Sequence, residues 1–370
     1  MSVRLPGIYR DDVRPGDAPG FCTGVPAFLA PLPAGEPALL TAPTHLDPLR
    51  TALLGSRVPD VVAGFFAAGG RRCHLVPFDA QAHDGLAAAV ACIESLDDVD
   101  LIAAPDPPAA LLDFQLRLLA ACDGGPWICL LDPPARLRPE PALYYAAARE
   151  HAAALVGAPG SDSAALYFPW LRVGDGLVPP CGHVAGAIAA SDARVGPHKA
   201  PAGDRLPGVT GLDLAPGLDD RRALAEQPIN CIVPQPGRGL RIWGARTLSD
   251  REERRPLGAR RLVLTIRRRL ARTLAGLAFE PNDAALWRRL ARAVDAYLRG
   301  LYERGALRGA SPEDAYVVRC DERTNPPESR DAGQLTAEIE VAPAAARETI
   351  VLRMHIGPQN HGPTFDEPID

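Results

Sequence analysis

Lysine is almost missing from this chain of 370 residues: Lys199 stands alone among 40 basic side chains, so 39 are arginine. Methionine occurs only 2 times, and aromatic residues make up 5%. Alongside abundant Ala, Pro and Gly, this bias reads as genomic base composition and carries no functional message. No apolar run approaches the ~20 residues that a membrane-spanning helix needs, so direct membrane insertion is not expected. The first residues lack a basic stretch followed by an apolar one, so no secretory leader is expected. The 8 cysteines are scattered with no C-x-x-C pair, and read as free thiols of a reducing compartment. Glycine-rich phosphate loops and the H-E-x-x-H zinc signature are missing as well, so no cofactor, metal or catalytic site is expected.

What is present begins with size and charge. The length fits two domains, each large enough for its own core, and the hydrophobic share of 47% is ordinary. Net charge is −5, yet residues 251–308 hold 15 Arg and 6 acids, a balance of +9 that leaves −14 for the rest. One basic belt on an acidic chain points to a specific acidic partner more than to general nucleic-acid affinity.

The pattern predicts helices over 58–68, 85–96, 109–121 and 141–155, alternating with strands over 73–77, 99–103, 127–131 and 165–173. The unbroken apolar run at 127–131 suits a sheet covered on both faces. This alternation argues for a three-layer α/β domain with a mostly parallel sheet. Further on, 229–233 and 240–243 read as short strands and 259–277 as a long amphipathic helix. Leu262, Ile266, Leu270, Leu274 and Leu277 share one arc of that helix, opposite Arg260, Arg261, Arg267, Arg268 and Arg272. Asn282 is the expected N-cap of the next helix, with Trp287, Leu290, Val294, Tyr297, Leu298 and Leu301 on its buried stripe. Ser311 caps another, with Pro312 at its first position. Two alternating strands close the chain, Leu335–Val341 and Ile350–Ile356, and 357–370 reads as loose. The expected organisation is an extended arm at 1–20, an α/β domain at 21–205, an α+β domain at 206–346 and a second arm at 347–370.

Several motifs recur in a telling order. Residues 239–248 read GLRIWGARTL, and Phe279-Glu-Pro-Asn-Asp283 follows. Before them come Pro6-Gly-Ile-Tyr9, the Phe65 to Gly70 turn, Asp98 to Ile102, Leu131-Asp-Pro-Pro134, Tyr167-Phe-Pro-Trp170, the Pro179 to Gly186 segment and Lys199-Ala-Pro201. Val318 to Asp321, Asn325 and Glu338 to Pro343 close the series. Together these resemble the contractile tail sheath family of phage tails, R-type pyocins and extracellular contractile injection systems. Departures are Cys181 in place of Ser, Gln227-Pro228 in place of Gly, and Arg10 after Tyr9. The resemblance implies a subtilisin-like α/β domain, six-fold rings stacked around an inner tube, and terminal arms that complete the sheets of neighbouring subunits. It also implies baseplate and cap or terminator proteins as partners, with cytoplasmic assembly of a particle that is released extracellularly.

Three sets of residues are candidates for sites. The first is the arginine face of the 259–277 helix. Leu264 lies within that arc, so Arg260, Leu264, Arg267 and Arg268 are the expected contacts to an acidic inner tube. A solvated face is the competing reading. Nucleic acid is disfavoured because aromatics do not interleave with the arginines. The second set is the exchanged strands: Ile8, Tyr9 and Val13 at one end, and Ile350, Leu352, Met354 and Ile356 at the other. Pairing of the last strand with 335–341 inside its own subunit is the competing reading there. The third is a hydrolase reading built on Asp132 and a nearby His. In it, Cys181-Gly-His183 echoes the nucleophile helix of subtilisin-like proteases. The nucleophile position, five residues before His183, is Val178, which has no oxygen to attack with. Asp-Pro-Pro at 132–134 reads more simply as a helix cap, and Gly182, Ala185 and Gly186 as small residues for packing against the sheet.

Overall fold

Helix-forming and strand-forming runs alternate through the first two-thirds of the chain, and they stack as layers. The computed structural model describes residues 22–33, 35–80, 82, 84–108, 110–135, 140–346, 348–357 and 363–368. In chain order the first elements are β1 (Pro26–Ala30), β2 (Ala38–Leu40), α1 (Val58–Ala67), β3 (Cys73–Pro77), α2 (Gly85–Glu94), β4 (Leu101–Ala103), α3 (Leu111–Ala121) and β5 (Ile128–Leu131). Then come α4 (Pro141–Leu155), β6 (Ala164–Phe168), β7 (Leu171–Val173), β8 (Gly176–Val178), α5 (Cys181–Arg194), β9 (Gly211–Leu212), α6 (Leu218–Ala225), β10 (Ile229–Gln235) and β11 (Gly239–Trp243). One sheet runs in the order β11-β10-β6-β5-β4-β1-β3-β2. It is parallel except at its edges, where β11 opposes β10 and β2 opposes β3.

Alternating side chains of these strands feed two cores. Ala27, Leu29, Ile102, Cys129, Leu131, Leu166 and Phe168 point to the layer of α2, α3, α4 and α6. Phe28, Ala30, Leu101, Ile128, Leu130 and Tyr167 point to α1 and α5. The continuous strand expected at 165–173 divides at Pro169, which has no N–H for a ladder. α1 ends at Gly69, whose φ of 105° is natural only to glycine. The small residues of α5 were expected to bring it against the sheet; α5 does lie on β4 and β5, and its glycines bring it closest to α1. A Cβ at Gly182 would meet Val61 O at 2.2 Å, and one at Gly186 would meet Phe65 O at 2.3 Å.

The second unit comprises α7 (Leu257–Leu274), α8 (Ala284–Glu303), α9 (Pro312–Ala315), β12 (Tyr316–Arg319), α10 (Pro327–Asp331), β13 (Leu335–Val341), β14 (Ile350–Ile356) and β15 (Thr364–Asp366). Its antiparallel sheet has the order β12-β13-β14-β15. Leu262, Val263, Ile266, Leu270 and Leu274 of α7, with Trp287, Leu290, Val294, Leu298 and Leu301 of α8, cover the sheet residues Leu335, Ala337, Ile339, Leu352 and Met354. The cap of α8 is Asp283, not Asn282: its carboxylate accepts from Ala285 N and Leu286 N at 2.8 and 2.9 Å. Asn282 instead accepts from Trp287 Nε1 and donates to Gln334 O, tying α8 to the approach to β13. The expected domain boundary at 205 also moves, because β10 and β11 belong to the large α/β sheet. The junction falls between β11 and α7. No helix among the described residues is long and apolar enough to cross a membrane.

Candidate interface sites at the domain junction and the terminal sheet

α7 was read as a surface helix with an apolar side and an arginine side. It is buried nearly all round, because each side meets a different domain. Leu257 and Leu264 join the α/β core, while Leu262, Val263, Ile266, Leu270 and Leu274 join the second core. Leu264 is 2% exposed, so it is no contact point on a free surface. Its place among the arginines was the signal, since an apolar residue there marks a second buried side.

The arginines between the domains are matched individually. Arg261 donates to Asp192 Oδ1 and Oδ2 at 2.7 and 2.6 Å and to Asp100 Oδ2 at 3.1 Å. Asp100 also accepts from Gly24 N and Val25 N, which fixes the entry to β1. Burial opposes the charge on Arg261, but Asp192 and Asp100 outweigh it and hold the guanidinium above its ordinary range. Arg268 donates to the carbonyls of Val99, Asp98 and Cys22 at 2.5, 3.4 and 3.0 Å. Arg260 donates to Ser163 Oγ and to Glu367, and Arg267 to Glu367 and Gly124 O. Arg260, Leu264, Arg267 and Arg268 therefore face their own α/β domain and the segment after β14, and the tube-facing assignment of these four is corrected. Steric exclusion and charge pairing within the chain have already used that face.

The belt has a second part that does reach the surface. On α8 the apolar stripe points inward, and Arg288, Arg289, Arg292 and Arg299 are exposed. Arg289 pairs with Glu280 and Arg299 with Asp295. Sequence reasoning passed over this face because its arginines are spread out and the 259–277 helix is denser in charge.

The terminal sheet corrects the second set of candidates. β14 is an inner strand, paired with β13 from Leu335↔Ile356 to Val341↔Ile350 and with β15 through Met354↔Phe365. Leu352, Met354 and Ile356 are buried in the second core, and Ile350 packs at its margin. This strand is held on both sides within its own chain and is not the donated one. A connection of only 8 residues (342–349) lets β13 and β14 close as neighbours before any other strand can compete. The outer strands are β12 and β15. Ile8, Tyr9 and Val13 lie outside the described residues.

The third set comes together only in part. Asp132, at the carboxyl end of β5, caps α5 by accepting from Cys181 N at 2.9 Å. It was expected to cap the helix that follows it; α4 instead begins at Pro141, after Glu140. Burial pushes the Asp132 carboxyl up to about 7, against the lowering effect of the Cys181 contacts. Burial and the neighbouring Asp132 push the Cys181 thiol well up, the reverse of an activated nucleophile. His151 reaches Asp132 only through Gln115, and only at the backbone carbonyl: His151 Nε2 lies 2.7 Å from Gln115 Oε1, and Gln115 Nε2 donates to Asp132 O at 2.9 Å. Burial lowers both His151 and His183 to about 4. The His183 ring lies against Gly64 of α1. Among the described residues no imidazole is bonded to the Asp132 carboxylate, so Asp132 and a His are not brought together there as the hydrolase reading needs.

The GLRIWGARTL segment runs from β11 to the approach to α7, whose Leu257 N donates to Ala245 O, and is tied down on the α/β domain. Asn230 Oδ1 accepts from Arg246 N at 2.8 Å, and a Cβ at Gly244 would meet that same oxygen at 2.8 Å. Arg246 donates onward to Gln227 O at 2.9 Å. Thr247 Oγ1 donates to Arg254 O and Thr247 N to Arg255 O. Leu248 N donates to Ala164 O, at the start of β6.

These features define a class: a two-domain scaffold welded at its junction, with outer strands and a basic helix face available for contact. Residues 135–248 match the family model for the phage tail sheath protein central domain, and residues 255–357 match that for the phage tail sheath C-terminal domain. The two together cover more than half of the chain, which belongs to the phage tail sheath family and is a structural sheath subunit. Their limits meet at the observed junction. Among solved structures the chain is similar to a protein of the six-fold symmetrised baseplate of the anti-feeding prophage, at 25% identity and a TM-score of 0.73, covering 92% of this chain and 96% of that one. It is similar to the contracted helical sheath of the same prophage at 27% identity and a TM-score of 0.72, covering 94% and 98%. The sheath tail protein of Desulfitobacterium hafniense shares the fold at 9% identity and a TM-score of 0.66, covering 96% and 100%. No curated protein sequence matches the chain.

Proposed function

We propose that this subunit polymerises into a helical sheath around an inner tube and contracts to drive the tube through a target envelope. The observation that carries the reading is the whole-length likeness to a contracted helical sheath. The build of α7 supports it. A helix shared by two cores makes the subunit one body, able to rotate as a unit while its contacts rearrange. Its partners in this reading are copies of itself, the inner tube protein, and baseplate and cap or terminator proteins. Assembly is in the cytoplasm, and the finished particle is released. The subunit is not an enzyme, and it takes no cofactor, metal or nucleic acid. Electron microscopy of the purified protein tests this directly: tubes are expected, and discrete particles under all assembly conditions would overturn it.

In the same reading the basic contact to the tube lies on the outward face of α8, through Arg288, Arg292 and Arg299. Such ion pairs are worth about 0–1 kcal/mol each. Repetition in every subunit makes the sum matter, and salt weakens it. Arg288→Glu with Arg292→Glu is expected to give sheaths that are contracted or empty. Extended, tube-filled particles at normal yield would place the contact elsewhere. The segment with Ile8, Tyr9 and Val13 is the strand donated to a neighbour, added at an outer edge of its terminal sheet.

A further inference from the structure

Glu367 lies in a stretch whose composition reads as loose, yet its side chain is only 10% exposed. Arg260 Nη1 donates to both of its carboxylate oxygens, at 2.6 and 2.8 Å. Arg254 Nη2 approaches from a second side at 3.4 Å, and Arg267 Nη1 from a third at 3.5 Å. Each guanidinium is also held by a group other than Glu367. Arg260 Nε donates to Ser163 Oγ at 3.0 Å, Arg254 Nη1 to Asp162 Oδ2 at 2.6 Å, and Arg267 Nη2 to Gly124 O at 2.9 Å. Three cations thus converge on one point, oriented by the α/β domain whether or not Glu367 is there. Among the described residues Glu367 and Asp162 pair with them directly, and Asp366 and Glu253 act on Arg267 and Arg254 from further away. Without Glu367 the cluster would be a buried excess of positive charge, which a low-dielectric site tolerates poorly. Burial opposes the charge on Glu367, but Arg260 and Arg254 outweigh it and hold the carboxyl below its ordinary range.

Among the described residues, the segment that delivers Glu367 is otherwise attached as a strand along β14 only. β15 pairs with β14 at three positions, Arg353↔Asp366, Met354↔Phe365 and His355↔Thr364. The Phe365 ring sits 5.9 Å from Arg267 Cζ. A three-residue strand at a sheet edge has little stability of its own, so the carboxylate contact adds a buried anchor to the packing of Phe365 and the contacts of Thr364 and Asp366 with His355.

We propose that Arg254, Arg260 and Arg267 form a preformed carboxylate socket whose ligand is the 363–368 segment of the same chain, entered through Glu367, making that segment a detachable latch across the domain junction. The socket is a peptide-binding site: it takes an extended strand with a carboxylate two residues after an aromatic ring. Because the latch operates in a lone subunit, its test is independent of sheath assembly.

The test uses protein lacking residues 363–370 and a synthetic peptide of those eight residues, with calorimetry as the readout. The peptide is expected to bind the truncated protein and not the full chain, whose socket is filled. Glu367→Gln in the peptide, or Arg260→Gln in the truncated protein, is expected to weaken binding at least tenfold. Raising the salt tenfold is expected to weaken it as well, while Asp366→Asn in the peptide has a smaller effect. A folded truncated protein that ignores the peptide, or that binds the Gln peptide equally well, would overturn the proposal. Should truncation prevent folding, full-length Glu367→Gln serves instead. Its amides at 364–366 are expected to exchange with deuterium at least tenfold faster, with β13 and β14 unchanged; unchanged exchange throughout would overturn the latch. A full-length dimer that Glu367→Gln converts to monomer would assign the socket to a second copy and overturn the same-chain occupant.

Discussion

Asp132 joins a structural role to a titration in a single side chain. It caps α5 from inside the protein, and burial raises its carboxyl from 3.8 to about 7. The folded protein therefore binds this proton more tightly than the unfolded chain does. Below pH ~4 both states are protonated and the group is neutral to stability; as pH climbs through 7 the folded state loses ground. At about 1.4 kcal/mol per pKa unit, the loss is on the order of 1–4 kcal/mol. Asp132→Asn keeps an oxygen for the Cys181 N–H and carries no charge. It is expected to melt higher than the parent at pH 8, with the gap closing toward pH 5. A lower melting temperature at pH 8 would refute the burial argument. The same variant, and Cys181→Ala, are expected to assemble into sheaths like the parent, because both side chains are buried inside the α/β domain, away from any contact surface.

At the scale of the element, α7 decides how the two domains meet. Arg261 is buried between Asp100 and Asp192, and its planar fork satisfies three carboxylate oxygens at once. Arg261→Ala leaves two buried carboxylates facing each other, and is expected to cost about 3–5 kcal/mol in urea denaturation. Arg261→Lys is expected to recover only part of that, since an ammonium lacks the bidentate geometry. Arg267→Glu with Arg268→Glu is expected to lower subunit stability outright, because both side chains lie against Gly124, Val99 and Cys22 of their own chain. A stable double variant with normal hydrogen exchange at the junction would contradict the burial of this face. The contrast with α8 is physical: α8 has one partner surface and keeps its arginines in water, while α7 has two and keeps none of its central ones there.

At the scale of the whole molecule, the subunit is two domains sharing one helix, and the contacts proposed to be exchanged belong to its margins. Deleting residues 1–17 is expected to leave a folded subunit, since that stretch is rich in Pro, Gly and charged residues and poor in apolar ones. It is also expected to abolish sheath assembly, because a donated strand supplies several backbone hydrogen bonds at roughly 1 kcal/mol net each. Sheaths of normal length from the truncated protein, seen by electron microscopy, would exclude strand donation from that segment.

Local pattern was enough for most of the elements. The strand at Cys73–Pro77 and the helix at Pro141–Leu155 stand where periodicity and flanking Pro or Gly place them, because such signals act over a few residues. The ordered motifs were enough for the family and the fold class. What sequence alone left undecided were relations between distant residues. Whether an arginine face meets water, a partner or the chain's own second domain depends on what packs there, and Arg260 with Glu367 is a pairing across 107 positions. The boundary expected at 205 was misplaced for the same reason: after a long excursion β10 returns to pair with β6, and β11 adds to β10 at the edge. The strand Ile350–Ile356 could be read as donated or retained, and only its two neighbours in the sheet decided for retention. Short-range propensity and patterning specify elements; charge pairing and burial between elements are set by the tertiary fold, because only there are both partners present.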